Sequence, residues 1–126
     1  MSTCLENYTP HEVVVYCDPK NEDTTIAFKS MGVIRADASG LDPLGTDPNG
    51  IPIVSKPEYV GVLDFPFKQG QDTYPDIIVS DIAARVVPDW FTGNVYVPCT
   101  DPKYVVRDNK GQIKGVKALY LFRGKL

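Results

Sequence analysis

The sequence comprises 126 residues, 43% of them hydrophobic and 23% charged, with a formal net charge of −3 at pH 7. A chain of this length fills one hydrophobic core rather than two, and its apolar content is too high for a disordered protein. The composition therefore predicts a single ligand-binding domain over residues 1–126, and the lack of a broad basic surface argues against a partner that is a nucleic-acid polymer.

The sequence also bears on compartment and metal content. The first residues contain neither a basic cluster nor an apolar stretch, and no apolar run approaches the ~18 residues of a membrane helix, so we expect a cytoplasmic protein without a membrane partner.

Cys4, Cys17 and Cys99 are widely spaced, and one histidine cannot complete a usual zinc site. They are predicted to be free, buried thiols, with no metal and no cofactor.

The N-terminal third is predicted to form a hairpin or meander of strands. Residues 12–17 are rich in β-branched side chains without polar alternation, which is typical of a strand buried on both faces. Residues 18–21 have the composition of a turn. Two further strands are predicted over residues 24–28 and 32–36.

Segment 37–51 repeats an Asp-x-x-Gly pentad three times, beginning at Asp37, Asp42 and Asp47. Asp at the first position and Gly at the fourth favour type I turns, so a series of successive turns is predicted. Calcium binding is the alternative, but the spacing lacks the alternating oxygen ligands and closing Glu of an EF-hand loop.

The rest of the chain is predicted to be mostly strand, with one helix. The strands are predicted at 51–54, 58–63, 75–79, 94–97, 104–107 and 113–122. Ser80 is the predicted N-cap of the helix, Asp81 lies in its first turn, and Pro88 ends it. These elements together predict an α+β fold, a mostly antiparallel sheet with one or two short helices packed on it.

The sequence contains no recognisable catalytic motif. A P-loop, a dinucleotide-binding glycine pattern and a Gly-x-Ser-x-Gly elbow are all missing. Any serine or cysteine triad would have to use His11, the one histidine. Asp76 and Asp81 bracket a strand end and leave a carboxylate hydrolase as an alternative, but the main prediction is a binding protein that is not an enzyme.

Candidate anion-binding residues lie in the basic C-terminal part. Residues 102–126 carry seven Lys and Arg against one Asp, a net of +6, so the remainder carries −9. Thr100 and Asp101 lie in a proline-bounded turn just before Arg107, whose planar guanidinium matches a phosphate. Two alternatives remain open: Arg107 pairs with Asp101 or Asp108, or the basic segment only solvates an exposed strand.

Four more residues are candidates for the same ligand. Trp90 and Phe91 offer flat faces to a nucleobase, although they suit a hydrophobic core equally. Ser80 lies where a helix N-terminus can face a phosphate. His11 either anchors the N-terminus by hydrogen bonding or lines the site.

Short motifs over most of the chain carry a resemblance to a known family. They are Thr9-Pro10-His11-Glu12-Val13, Gly32-Val33-Ile34-Arg35, Val79-Ser80, Val97-Pro98, Val106-Arg107-Asp108 and Gly111-Gln112-Ile113-Lys114-Gly115-Val116. With these motifs the chain resembles the first type of Thoeris anti-defence protein, phage sponges that sequester the cyclic ADP-ribose signal of bacterial TIR enzymes.

The resemblance implies a non-enzymatic homo-oligomer that captures glycocyclic ADP-ribose, and in some members cyclic oligonucleotides, and so blocks the immune effector. Arg107 corresponds to the phosphate-contacting arginine of the family, and Arg35, within a matching motif, joins the ligand-binding candidates. The open edges of many short strands independently favour a closed homo-oligomer, a dimer or larger. A small nucleotide hydrolase and a structural phage assembly protein are the alternative functions.

Overall fold

The computed structural model describes residues 4–18, 20 and 24–126. In these residues the chain forms twelve strands and one α-helix. In chain order they are β1 (Leu5–Asn7), β2 (Val13–Tyr16), β3 (Thr25–Phe28), β4 (Arg35–Ser39), β5 (Pro43–Thr46), β6 (Pro52–Val54), β7 (Glu58–Leu63), β8 (Asp76–Ile78), α1 (Asp81–Ala84), β9 (Val95–Pro98), β10 (Val105–Arg107), β11 (Ile113–Val116) and β12 (Leu119–Arg123).

The predicted α+β class is wrong, because strands make up 41% of the structure and helix only 3%, an essentially all-β protein. Ser80 does cap α1, accepting the Ala83 N–H at 3.2 Å, but the helix lasts four residues. Pro88 disfavours helix at the residue before it, and the chain turns to bury Val87 and Phe91 instead. Among the described residues, no helix is long and apolar enough to cross a membrane.

Two four-stranded sheets form the body of the molecule. The first sheet has the order β1-β8-β9-β12, with β1, β8 and β9 parallel and β12 antiparallel to β9. The second sheet has the order β10-β11-β2-β3, and its two antiparallel hairpins meet in one parallel pair between Val116 and Val15. Both sheets are therefore mixed rather than uniformly antiparallel.

The strand predicted over residues 113–122 is in fact two strands in different sheets. β11 ends at Val116 in the second sheet, and β12 begins at Leu119 in the first. The crossing is held by the Lys117 N–H, which donates to the Tyr104 carbonyl, and by the Ala118 carbonyl, which accepts from the Cys99 N–H. The last two strands therefore join the sheets covalently.

The hydrophobic core lies on the first sheet. The central strands and the residue after β8 place Ile77, Ile78, Val79 and Val95 at 0% exposure. An aromatic cluster packs on this core, with ring centroids 5.1 to 6.2 Å apart, and comprises Phe65, Phe67, Tyr74, Trp90 and Phe91. Three of these rings come from loop 64–74, so this loop gives the core the cover that we predicted for a helix.

Asn7 is a buried polar residue that connects the two sheets. Its Nδ2 donates to the carbonyls of His11 and Phe28, each at 2.8 Å, so β1 of the first sheet is joined to β3 of the second. Its Oδ1 accepts the Thr9 N–H at 2.9 Å and the Thr9 hydroxyl at 2.7 Å. The amide is thus fully paired at 1% exposure, as a buried polar group must be to avoid a desolvation penalty.

Residues 35–63 form a ribbon, here called the arm, that corrects the prediction for the Asp-x-x-Gly repeat. β4 pairs with β7, and β5 pairs with β6 further along the same ribbon. Only the third pentad is a turn: Gly50 N–H donates to the Asp47 carbonyl at 3.0 Å. Asp37 lies inside β4 and Asp42 directly precedes β5, so the first two pentads lie mostly in strands, with Gly40 and Leu41 at φ of 90° and 58° between them.

The prediction of buried thiols is also wrong. Cys4 and Cys17 are exposed, and Cys99 is half-buried. Cys17 directly follows β2, outside the buried part of the strand.

Candidate functional site

The predicted ligand-binding residues occupy separate places in the structure. Arg35 and Ser80 line one cavity, His11 and Thr100 line another, Trp90 and Phe91 belong to the aromatic cluster, Asp101 lies in the turn before β10, and Arg107 is the last residue of β10. The structure therefore does not assemble all eight into one site.

Phe91 is not available for stacking on a nucleobase. Its side chain is 2% exposed, and its ring meets those of Phe65, Phe67 and Tyr74 at 5.1 to 5.6 Å. Trp90 is half-buried beside Phe65 and Tyr74. Both residues are part of the core, which is the structural alternative left open by the sequence.

Arg107 braces its own hairpin. Its Nη1 donates to the Gly111 carbonyl at 2.7 Å, and within the described residues the one ion pair joins Arg85 to Asp81. Asp101 accepts the Lys103 N–H at 3.0 Å, so its carboxylate shapes the preceding turn. The predicted ion pair of Arg107 with Asp101 or Asp108 is therefore not formed, although the exposed guanidinium keeps its other donors.

Ser80 has a structural role at the start of α1. Its Oγ already accepts the Ala83 N–H. A four-residue helix aligns too few peptide dipoles to attract a phosphate, so the prediction of a phosphate at the helix N-terminus is not supported. Ser80 contributes to the lining of a cavity and not to a dipole site.

Two adjoining cavities, here together called the Arg35 trough, lie where the arm meets the body. The larger has a volume of about 570 Å³ and the smaller about 300 Å³, and they share Tyr8, Val33 and Arg35. The larger cavity is also lined by Gly32 and Asp64. Tyr59, Ser80 and Ile82 line the smaller cavity.

Backbone hydrogen bonds fix the wall of the trough. Met31 N–H donates to the Asn7 carbonyl at 2.8 Å, and Ile34 N–H donates to the Tyr8 carbonyl at 3.0 Å. These bonds hold segment 31–34 against the end of β1 and position Arg35 as the first residue of β4. On the other side of the arm, Asp64 has a φ of 56°, a left-handed conformation that Asp tolerates better than most residues.

The charges of the trough are unevenly distributed. Arg35 is the one charged residue among those lining the smaller cavity, whereas the larger cavity also contains Asp64. No carboxylate of the described residues lies within 4.0 Å of the Arg35 guanidinium, which is exposed. The smaller cavity is therefore the end of the trough that favours an anion.

Tyr8 contributes a neutral ring to both cavities. Burial raises the pKa of Tyr8 well above its usual value, and the hydrogen bond that its hydroxyl donates to Glu6 at 2.8 Å raises it further. The phenol consequently stays protonated, and its hydroxyl is committed to Glu6. Since Tyr8 is 7% exposed and its ring packs on Phe67, it supports the wall of the trough and leaves little ring surface for a ligand.

A second cavity, here called the β2–β11 groove, has a volume of about 320 Å³ and contains His11, Thr100 and Lys114. A Cβ on Gly115 would lie 2.5 Å from the Tyr16 ring and 2.7 Å from the Val14 carbonyl, so only glycine fits this position. Lys114 Nζ lies 5.7 Å from the centroid of the Tyr16 ring. The groove thus brings together two predicted residues, His11 and Thr100, and Arg35 is not among the residues that line it.

Sequence reasoning missed the residues that give the trough its shape. Tyr59 and Asp64 reach it because β7 returns alongside β4, and no local pattern signals that return. Tyr8 stands directly before the Thr9-Pro10 motif, but its residue type alone does not separate a site residue from a core residue.

The described residues contain no group of three or more His, Cys, Asp or Glu side chains placed to hold a metal ion. A scan against protein-family models, a search of the curated proteins and a search of the solved structures each return no match.

Proposed function

We propose that this protein binds a small anionic ligand of nucleotide type in the Arg35 trough and performs no chemistry on it. The observation that carries the proposal is an exposed guanidinium, without a carboxylate partner in the described structure, at the junction of two cavities. Each cavity falls in the range of roughly 300 to 1,000 Å³ that is usual for small-molecule sites.

The lining of the trough suits the parts of a nucleotide. The planar fork of Arg35 matches two phosphate oxygens, and such charge-assisted pairs are the strong ones. Tyr59 is 39% exposed and offers aromatic surface, on which a base can stack in a sequence-independent way. A ligand with its phosphates on Arg35 and its base on Tyr59, two residues that both line the smaller cavity, fits both features.

The chemistry of the lining favours binding over catalysis. Ser80 is the one serine or threonine that lines the smaller cavity, and its Oγ accepts the Ala83 N–H as the cap of α1. The one histidine, His11, lines the β2–β11 groove and is not among the residues that line the trough with Ser80.

The two carboxylates of the hydrolase alternative have structural partners. Asp76 accepts the Asn94 N–H at 2.8 Å, and Asp81 accepts hydrogen bonds from Tyr120 and from Arg85. These contacts favour a structural role for both carboxylates: Asp76 fixes the residue before β9, and Asp81 connects the start of α1 to β12.

The resemblance supplies the ligand class. We propose glycocyclic ADP-ribose as the first candidate and cyclic oligonucleotides as the second, bound by a homo-oligomeric phage sponge in the cytoplasm of the host cell. Sequestration would lower the free signal and leave the immune effector inactive. The structural phage assembly protein remains as the competing function, favoured by the exposed surface of the arm.

Ligand recovery separates these functions. The protein is incubated with glycocyclic ADP-ribose, freed of unbound ligand and then denatured, and the released material is analysed by mass spectrometry. Intact ligand at a fixed ratio to protein supports a sponge. A chemically altered product would identify an enzyme, and no retained ligand would leave the assembly function.

Comparison of Arg35→Ala with Arg107→Ala locates the site. The two variants are matched, because each removes an exposed arginine from a strand. We expect Arg35→Ala to weaken binding in calorimetry by at least tenfold, since a hydrogen bond to a charged group contributes about 1.5–3 kcal/mol and 1.4 kcal/mol is a factor of ten. Arg35→Lys should recover only part of the loss. A loss in Arg107→Ala without a loss in Arg35→Ala would place the anion at the hairpin and refute the trough.

A further inference from the structure

The larger cavity of the Arg35 trough is lined by two opposite charges that do not pair with each other. Arg35 and Asp64 both line this cavity. Leu63 is the ladder partner of Arg35, and Asp64 is the next residue, where the chain leaves β7. In the described part of the chain, no ion pair within 4.0 Å involves either side chain. A ligand in this cavity of about 570 Å³ can therefore contact both charges.

The Asp64 carboxylate has no structural partner among the described residues. The aspartates of three turns, Asp47, Asp101 and Asp108, each accept backbone N–H groups at 2.8 to 3.0 Å. Asp64 accepts no such bond, and its φ of 56° is a left-handed conformation that glycine would adopt without strain. Neither the backbone nor a neighbouring donor therefore explains a carboxylate at this position.

The chemistry of the two charges limits which part of a nucleotide each can hold. The Arg35 guanidinium donates to phosphate oxygens, whereas the ionised Asp64 carboxylate repels a phosphate and can only accept hydrogen bonds. In the proposed binding mode the base lies on Tyr59 in the smaller cavity, which Asp64 does not line. The part of the ligand left for Asp64 is a sugar, whose hydroxyls donate. An acidic side chain that accepts from a ribose hydroxyl is a common arrangement in dinucleotide-binding proteins.

We infer that Asp64 accepts hydrogen bonds from the hydroxyls of a ribose that lies beyond the phosphates, on the side away from the base. Asp64 can act in this way only if the phosphates bind Arg35, so the inference rests on the proposed function. It makes Asp64 the residue by which the trough distinguishes ligands of ADP-ribose type from nucleotides that end in a phosphate.

Calorimetry with ADP-ribose and ADP tests this role, because the two probes share a base and two phosphates and differ in the terminal ribose. Wild type should bind ADP-ribose at least about tenfold more tightly than ADP, the lower limit for a hydrogen bond to a charged group. Asp64→Asn keeps the size of the side chain and one acceptor oxygen, so it should weaken ADP-ribose binding by about five- to tenfold. The same variant should bind ADP equally well or more tightly, because a negative charge that repels the phosphates has been removed.

Two more variants separate the carboxylate from its surroundings. Asp64→Gly removes the side chain from a backbone that suits glycine, so the melting temperature should not fall while ADP-ribose binding weakens at least about tenfold. Asp72→Asn is the matched control, since it removes an exposed carboxylate from the same loop outside the trough. Its affinity for both probes should stay within about twofold of wild type.

The inference is overturned if Asp64→Asn binds ADP-ribose as tightly as wild type, if it loses both probes equally, or if wild type binds neither probe. EDTA separates a hydroxyl from a metal ion: an Asp64→Asn effect that disappears in EDTA would assign the carboxylate to a divalent cation carried by the phosphates, which also overturns the inference. Glycocyclic ADP-ribose separates this failure from that of the proposed function. If wild type binds it, Arg35→Ala does not and the Asp64 variants bind normally, only the role of Asp64 is refuted. If wild type binds none of the three ligands, the proposed function fails as well.

Discussion

Substitution of Asn7 by Asp tests how the two sheets are joined. In wild type, Asn7 Nδ2 donates to the carbonyl oxygens of His11 and Phe28, each at 2.8 Å. The change to Asp keeps the size of the side chain but places a second oxygen, which cannot donate when ionised, against these two carbonyls. It also brings a negative charge to a position that is 1% exposed. Thr9 can still donate to the remaining oxygen. The loss is therefore confined to the contact between the sheets.

The expected cost is about 3–5 kcal/mol at pH 7. A buried polar group without a partner costs about 1–3 kcal/mol, and burial of the new negative charge adds a penalty of at least the same size. The one proton of the Thr9 hydroxyl can turn to the His11 carbonyl at 2.9 Å while the Thr9 N–H still donates to the remaining side-chain oxygen, so the Phe28 carbonyl and the charge contribute most. A domain of ordinary stability, about 5–15 kcal/mol, would lose a large part of its free energy of unfolding.

Urea unfolding at pH 7 and pH 4 provides the measurement, with Asn109→Asp as the control in an exposed turn. The control should stay within about 0.5 kcal/mol of wild type. Relative to wild type, the Asn7 variant should be less destabilised at pH 4, because the introduced carboxyl is then partly protonated and donates again. If Asn7→Asp costs under about 1 kcal/mol at pH 7, the amide does not hold the sheets together and the reasoning fails.

Three further predictions concern the packing around α1 and β9. The Arg123 guanidinium donates to three carbonyls, those of Val87, Pro88 and Phe91 at 2.9 to 3.0 Å, so Arg123→Ala should lower the free energy of unfolding by about 2–4 kcal/mol; a denaturation curve that does not move would contradict this. Gly93→Ala should prevent stable folding, because a Cβ there would lie 2.2 Å from the Pro75 carbonyl; a melting temperature near that of wild type would exclude the clash. Burial and the hydrogen bond to Asp81 raise the pKa of Tyr120 from 10.0 to about 12, so its contribution to stability is present below pH 10 and is lost as the pH rises through 12. Between pH 10 and 12 the melting temperature of Tyr120→Phe should therefore fall less than that of wild type. Equal falls in melting temperature would show that the Tyr120 hydroxyl does not contribute to stability.

Elements coded by short-range chemistry were predictable from the sequence. The strand predicted over residues 58–63 is found with those bounds as β7, and the β2–β3 hairpin pairs as predicted. The turn at Asp108 closes through the Gly111 N–H, which donates to its carbonyl at 3.0 Å. In each of these cases the residues that decide the conformation are neighbours in the chain.

Features that depend on distant residues were not predictable. The helix after Ser80 was predicted too long, because its apolar spacing does not reveal that Val87 and Phe91 fold back onto the core. The run over residues 113–122 has the composition of one strand, and only its partners in two sheets divide it. The same limit applies to the trough, since Arg35 and Ser80 are 45 positions apart and meet through the fold of the arm.

The first sheet has a consequence for how the protein folds. Its four strands come from residues 5–7, 76–78, 95–98 and 119–123, so neighbours in the sheet are separated by about 20 to 70 positions in the chain. Closing such loops costs entropy before any pairing compensates for it, and chains dominated by non-local pairs fold in roughly milliseconds to seconds. The sheet cannot be completed until residue 123 has been synthesised, and until then the apolar strands β8 and β9 lack β12 beside them. A nascent chain of this sequence therefore passes through an interval in which its future core is accessible to chaperones.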